Sequence, residues 1–205
     1  MQIDSGLLGW LKIPSIYNAF SAAVGGNVLR RSLVQNHVRA KPGDKVIDIG
    51  CGSAEVLRYL PNVEYIGIDI SPEYIAFARR TYGNKGTYLV GDTQSFRGDP
   101  RFKDANLAIA FGLLHHLDDE EAMQCLQFAY DALQTKGRFV CHEACWIPNQ
   151  GALSKYVMSI DRGRNIRTEE QYRQLAAKFF NKVDAWVNTK PLRIPYVTVV
   201  LECEK

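Results

Sequence analysis

The densest run of residues able to do chemistry is Asp48-Ile49-Gly50-Cys51-Gly52-Ser53-Ala54. Glycines at 50 and 52 permit a sharp backbone turn and let a ligand touch the main chain with no Cβ between them. A pyrophosphate-binding turn of the G-x-G-x-x-G kind needs a third glycine at position 55, where this chain has Glu55. Carboxylates at 48 and 55 repel a phosphate and tolerate a cationic or zwitterionic ligand. Further acids end the next two hydrophobic runs, in Asp69-Ile70-Ser71 and in Gly91-Asp92-Thr93. Phe111-Gly112-Leu113-Leu114-His115-His116 then offers two imidazoles, which titrate near neutral pH. Such a ring at a pocket mouth has the chemistry of a general base. In the segment 161–167, Arg162 and Arg164 carry planar guanidinium forks suited to a carboxylate or phosphate on a bound molecule. Cys141 and Cys145 flank His142 without a second ligand pair, so they read as small core residues and no metal site is expected.

The elements that must position these groups follow from periodicity. From residue 45 onward, short β-rich runs alternate with helical patterns, which demands a mainly parallel sheet covered by helices on both faces. Strands are expected at 45–49, 64–69, 87–90, 106–111, 138–143, 183–188 and 197–203, and a helix directly after Ala54. Ser71-Pro72 and Gly83 bracket a second helix, while Asp118 with Glu121 and Thr168 with Gln171 have capping-box spacing. Only a turn-rich heptapeptide, 189–195, separates the last two strands, so they should pair as an antiparallel hairpin. The expected fold is therefore α/β, three layers around a seven-stranded mostly parallel sheet with an antiparallel C-terminal hairpin.

Asp48-x-Gly50-x-Gly52-x-Ala54 resembles motif I of the Rossmann-like, class I S-adenosylmethionine-dependent methyltransferases, with alanine where a third glycine is usual. Asp69 stands where that family places its ribose ligand, and Gly91-Asp92-Thr93 where it meets the adenine amino group. Residues 111–117 resemble the segment bordering the methionine portion and the acceptor, and Thr135-Lys136 stands where Pro-Gly is common before the fifth strand. The likeness spans roughly residues 41–143. It implies S-adenosylmethionine as cofactor and S-adenosylhomocysteine as product. It also implies a binding set of Asp48, Gly50, Cys51, Gly52, Asp69, Ile70, Gly91, Asp92, Thr93 and Phe111. Tyr17 is expected to cover the sulfonium by a cation–π contact, His116 to act as base, and His115, Arg162 and Arg164 to meet the acceptor.

Size and charge narrow the acceptor. The chain has 205 residues, 25 basic and 22 acidic, a net +3 without the excess that marks a dedicated nucleic-acid binder. The (Asp/Asn/Ser)-Pro-Pro-(Tyr/Phe) motif of amine-methylating DNA enzymes and the Pro-Cys of cytosine-C5 enzymes are both absent after the fourth strand. A small-molecule acceptor, methylated on oxygen or nitrogen rather than carbon, is the expectation. One domain is expected over 1–205, with 1–40 a helical cover on a cofactor-binding core at 41–205. Ile16, Tyr17, Phe20 and Val24 give that cover an amphipathic face, while Lys12, Pro14, Asn18 and Gly25-Gly26 interrupt any signal peptide or membrane span. Five cysteines without framework spacing point to reduced thiols and a cytoplasmic protein. Two rival readings remain. A nicotinamide-dependent oxidoreductase conflicts with Glu55 and the end hairpin, and a non-catalytic S-adenosylmethionine-binding protein differs from an enzyme only in turnover.

Overall fold

The computed structural model describes residues 13–160 and 163–205. Its centre is a pair of strands, β1 (Lys45–Ile49) and β4 (Ala105–Phe111), buried at nearly every position. Burial on both faces is what makes such strands read as continuous apolar runs rather than as alternation. Around them lie β2 (Glu64–Asp69), β3 (Thr87–Val90) and β5 (Leu133–Trp146), all parallel. The hairpin of β7 (Lys182–Asn188) and β8 (Thr198–Glu204) closes one edge, with β8 antiparallel to both β5 and β7. The spatial order is β3-β2-β1-β4-β5-β8-β7. Two features differ from the expected strands. β5 begins at Leu133 rather than at 138 and runs past 143 to Trp146, and that last stretch pairs with the two-residue β6 (Arg167–Thr168).

Helices cover both faces. On one side α4 (Asp119–Ala132) and α6 (Glu169–Ala176) bury Ala122, Leu126, Tyr172 and Ala176 against Phe139 and Leu201. Both begin with the reciprocal capping box that their sequences announced, Asp118 with Glu121 and Thr168 with Gln171. On the other side α3 (Pro72–Tyr82) packs Ile75 and Ala78 into a cluster with Tyr65, Ile109 and Val38. Ser71 caps this helix and Gly83, at φ 55°, ends it. The helix expected straight after Ala54 is instead one 3₁₀ turn, Glu55–Arg58. Residues 50–63 alone must carry the chain from β1 back to β2, and Pro61 has no amide with which to continue a helix.

The N-terminal cover is two helices, α1 (Pro14–Ala23) and α2 (Gly26–Leu33), followed by a π-helical segment at Val34–Val38. Gly25 turns between them at φ 98°, and Gly26 lies so close to α1 that a Cβ there would sit 2.2 Å from Ser21 Oγ. Among the described residues no helix is long and apolar enough to cross a membrane, and all five cysteines are free.

Glu202 on β8 clasps the end of this segment to the sheet. Its carboxylate accepts from His37 Nδ1 at 2.9 Å, Arg39 Nη1 at 3.0 Å and Arg138 Nη1 at 3.3 Å. Burial pushes the Glu202 carboxyl up, but the Arg39 and His37 hydrogen bonds outweigh that and hold it below its ordinary value. A depressed folded value means that the unfolded chain binds the proton more readily, so the clasp stabilises fully above the ordinary glutamate range, about 4.3. That stability is lost as pH falls through the lower folded value. Glu202→Gln should therefore be less stable at neutral pH and flatter in its acid-unfolding profile, as measured by urea midpoints across that window; an unchanged acid slope would contradict the clasp.

Candidate active site

The glycine turn at the end of β1 is pinned from β2. Asp69 accepts from Gly52 N through Oδ2 and from Ser71 N through Oδ1, each at 2.8 Å. Burial raises its carboxyl and these two amides lower it, with a net upward shift. Each carboxylate oxygen has two lone-pair sites, so acceptor capacity remains for hydroxyl donors on a ligand. Gly52, at φ 52°, faces open space, with nothing within 4 Å of where a Cβ would stand. Ile70 and Val90, 71% and 43% exposed, place apolar surface at the ends of β2 and β3 beside Asp69. Asp92 holds the turn after β3 by accepting from Ser95 N at 2.8 Å and Ser95 Oγ at 2.6 Å, and Phe96 lies against Gly91. The cleft thus pairs a carboxylate and a glycine cradle with an exposed apolar shelf, a donor set that fits a nucleoside with a cationic tail.

Two residues of the expected set point elsewhere. The Asp48 side chain is turned into the core, where its Oδ2 accepts from Tyr65 Oη at 2.6 Å and burial pushes its carboxyl up to about 7. The Cys51 thiol fills the space left by Gly67, 2.8 Å from the position of a Cβ there. Both stand under the turn, supporting it from behind. Glu55, whose charge argued against a dinucleotide, also has partners of its own. It accepts from Asn18 Nδ2 at 3.3 Å, Arg58 Nη1 at 3.0 Å and Tyr82 Oη at 3.1 Å. Asn18 in turn accepts from Ser53 Oγ at 3.0 Å, so α1 is tied across the turn through one side chain. Tyr17, one residue earlier, sets its ring edge-on to Tyr74 at 6.4 Å.

The segment after β4 forms the opposite wall. Glu143 on β5 is fully buried and gathers Leu113 N at 3.1 Å, Leu114 N at 3.0 Å, His115 N at 3.2 Å and His115 Nδ1 at 2.6 Å. Burial alone would raise this carboxyl; the His115 ring and the Leu114 and Leu113 amides bring it below its ordinary value. The bond fixes the proton of His115 on Nδ1, and the His116 ring lies against that of His115, centroids 4.2 Å apart and tilted by 40°. Arg167 takes the other polarity of the same segment, donating to Leu114 O and Leu117 O at 2.9 Å each and pairing with Asp119 at 2.7 Å. Tyr17, Phe111, Gly112, His115 and His116 all line one cavity of about 310 Å³, bounded by α1, α2 and the sheet. Gly50 abuts this wall, since a Cβ there would lie 2.9 Å from Leu113 Cδ1.

Residues 46–137 match a family described as a methyltransferase domain. That stretch, from β1 into β5, is somewhat less than half of the chain, and over it the sequence is similar to methyltransferase domains. A curated relative, an uncharacterized protein of Methanocaldococcus jannaschii, is 31% identical over 98 residues, and the match spans 47% of this chain and only 36% of that protein. Among solved structures, a SAM-dependent methyltransferase from Archaeoglobus fulgidus superposes with a TM-score of 0.73 at 18% identity, covering 92% of this chain and 99% of that one. A phosphoethanolamine N-methyltransferase from Haemonchus contortus, in complex with phosphomonomethylethanolamine and S-adenosylhomocysteine, gives 0.72 at 14% identity over 89% of this chain and 53% of that one. A geranyl diphosphate C-methyltransferase from Streptomyces coelicolor gives 0.63 at 16% identity over 85% and 74%.

Within this core, several residues that matter to the site carried no motif. Glu143 and Arg167 anchor the post-β4 wall from 28 and about 50 positions away, and no local spacing announces either. The arginines expected to clamp the acceptor fare differently. Arg162 lies outside the described residues, and Arg164 is exposed and absent from the cavity lining, whereas Arg30 on α2 lines it. Glu143→Gln leaves at most one oxygen for four donors and turns an amide N–H toward the others. It should cost about 3 kcal/mol in urea unfolding, from charged hydrogen bonds lost inside the protein; a loss near zero would show that the wall is held by something else.

Proposed function

We propose that this protein binds S-adenosylmethionine in the cleft at the ends of β1, β2 and β3 and transfers its methyl group to a small molecule held in the adjoining cavity. The observation that carries the reading is the shared wall: the segment 111–116 abuts the glycine turn at Gly50 and lines the cavity. Asp69 would take the ribose hydroxyls, Gly91, Asp92 and Thr93 the adenine edge, and Ile70 with Val90 its face. The backbone of Gly50 and Gly52 would receive the methionine portion, with Phe111 and Tyr17 closing it in. When bound, S-adenosylmethionine supplies an electrophilic methyl on a sulfonium, already an activated leaving group, and departs as S-adenosylhomocysteine.

The protein's own work is alignment and exclusion of water, each able to contribute several kcal/mol. Asn18, bonded to both Ser53 and Glu55, keeps α1 over the turn. The His115–Glu143 pair fixes the wall on which His116 stands, and His116, less enclosed than His115, removes a proton from an oxygen or nitrogen acceptor. The cover and the core act as one domain in this reading, and the free thiols suit a reducing, cytoplasmic setting.

Asp69→Ala removes two charge-assisted hydrogen bonds to the ribose and should weaken S-adenosylmethionine binding at least tenfold, about 1.4 kcal/mol. Calorimetry decides, and an unaltered affinity would remove Asp69 from the site. His116→Ala should depress turnover with a metabolite panel while leaving S-adenosylhomocysteine affinity near that of the parent; equal loss of both makes His116 structural. Tight dinucleotide binding without S-adenosylmethionine binding would overturn the whole reading, and persistent binding without turnover would favour a non-catalytic binder.

A further inference from the structure

The cavity beside His116 has an unusual charge content. Of the described residues that line it, Arg30 is the only Lys, Arg, Asp or Glu. Its guanidinium donates to two neutral groups, Ser21 Oγ at 3.1 Å and Asn27 Oδ1 at 3.5 Å, and among the described residues no carboxylate pairs with it. The Gly25–Gly26 elbow sets this arrangement by pressing α2 against Ser21. A cation held in a pocket without a counter-charge favours an anionic occupant, and a guanidinium does so through paired N–H donors.

The cavity floor adds polar groups that lack partners. On the sheet, Ala144 pairs with Thr198 and His142 with Val200, so His142 and Thr198 share the face turned toward Arg30. Among the described residues, the buried Thr198 Oγ1 and His142 Nε2 make no hydrogen bond. Buried polar groups are costly when left without a hydrogen bond, and both residues line the cavity. Burial, with Arg30 contributing, pushes His142 down to about 4, so at neutral pH it adds a donor and an acceptor but no charge. Much of the remaining lining is apolar, with Phe20 and Leu29 on the cover and Ile160 and Ile194 beyond it, beside the rings of Tyr17, Tyr196, His115 and His116.

We propose that the methyl acceptor is a small, mainly apolar molecule bearing one anionic group, a carboxylate or a phosphate monoester. Arg30 receives the anion, and Thr198 and His142 supply hydrogen bonds beside it. This rests on the methyltransferase reading above and adds the class of acceptor. Arg30, Thr198 and His142 are specificity-determining residues here, and none of them takes the proton.

The test uses the full chain saturated with S-adenosylhomocysteine and titrated, by ligand-observed NMR, with phenylacetate, phenyl phosphate, phenylacetamide and phenethylamine. At least one of the two anions should bind ten times or more tighter than the amide, and the amine should bind weakest; whichever anion leads names the head group. Arg30→Met should erase that preference, and Thr198→Val, of nearly equal volume, should weaken the favoured anion several-fold, with S-adenosylhomocysteine affinity unaltered in both. Equal binding of acid and amide by the parent protein, or a preference that survives Arg30→Met, overturns the proposal while leaving the methyltransferase reading intact. Failure of the parent protein to bind S-adenosylhomocysteine at all overturns that reading instead. Should Arg30→Met fold poorly, Arg30→Gln and the Thr198→Val arm decide by the same comparison.

Discussion

The site depends on one buried carboxylate. Glu143 sits on the middle of the sheet with no exposure, where an ionised group is tolerated only if its lone pairs are filled. Three consecutive amides and the His115 ring fill them, which forces residues 113–115 to wrap around the end of β5. Wrapping so tightly leaves the carbonyls of the same segment facing the other way, and Arg167 takes two of those. Amides are thus satisfied from the sheet and carbonyls from the β6 side. A loop fixed in both polarities is a rigid mount for the two histidines it carries.

The cover is held more lightly. Helices of 10 and 8 residues are too short to be stable alone in water, so α1 and α2 exist because they are docked. Their attachments are few and differ in place. Asn18 reaches the glycine turn, Arg193 N donates to Val24 O at 2.8 Å, and the Glu202 clasp holds the following segment. Phe20 remains 47% exposed while also lining the cavity. The contacts that close the cavity are therefore the same ones that give these helices their structure, so opening the cavity and loosening the cover are one event in energetic terms.

Much of the frame was legible in the sequence because its signals are local. The seven principal strands, both capping boxes and the glycine turn with Asp69 depend on spacings of a few residues, and all are present, with β5 alone starting and ending well outside its expected bounds. Lys136, at the position where the resemblance puts a common glycine, adopts φ 64° inside β5. The helix after Ala54 failed because its pattern ignored how few residues join β1 to β2. The site's supports were illegible for a different reason. Whether an arginine is a clamp or a solvated loop residue depends on what faces it, and Arg164 and Arg30 look alike until Ser21 and Asn27 are seen beside the latter. His142 likewise reads as one more residue of a buried strand, since only the three-dimensional pairing shows that its Nε2 has no partner.

The charges of the two halves of the site are opposed. On the glycine-turn side stand Asp48, Glu55 and Asp69, with Asp48 partly neutralised by its burial and Glu55 paired with Arg58; among the described residues that line the cavity, Arg30 is the only Lys, Arg, Asp or Glu. Among the described residues neither Asp69 nor Arg30 has a counter-ion, so a field between charges of opposite sign acts near the segment 111–116. In a partly desolvated cleft such a field is weakly screened, because the effective dielectric is far below that of water. A molecule with positive charge near the glycines and one with negative charge near Arg30 are each drawn to their own half, and each is disfavoured in the other. In the proposed reading that polarity would sort the two ligands before any close contact selects them, and would bring their facing ends together at the wall that carries His116.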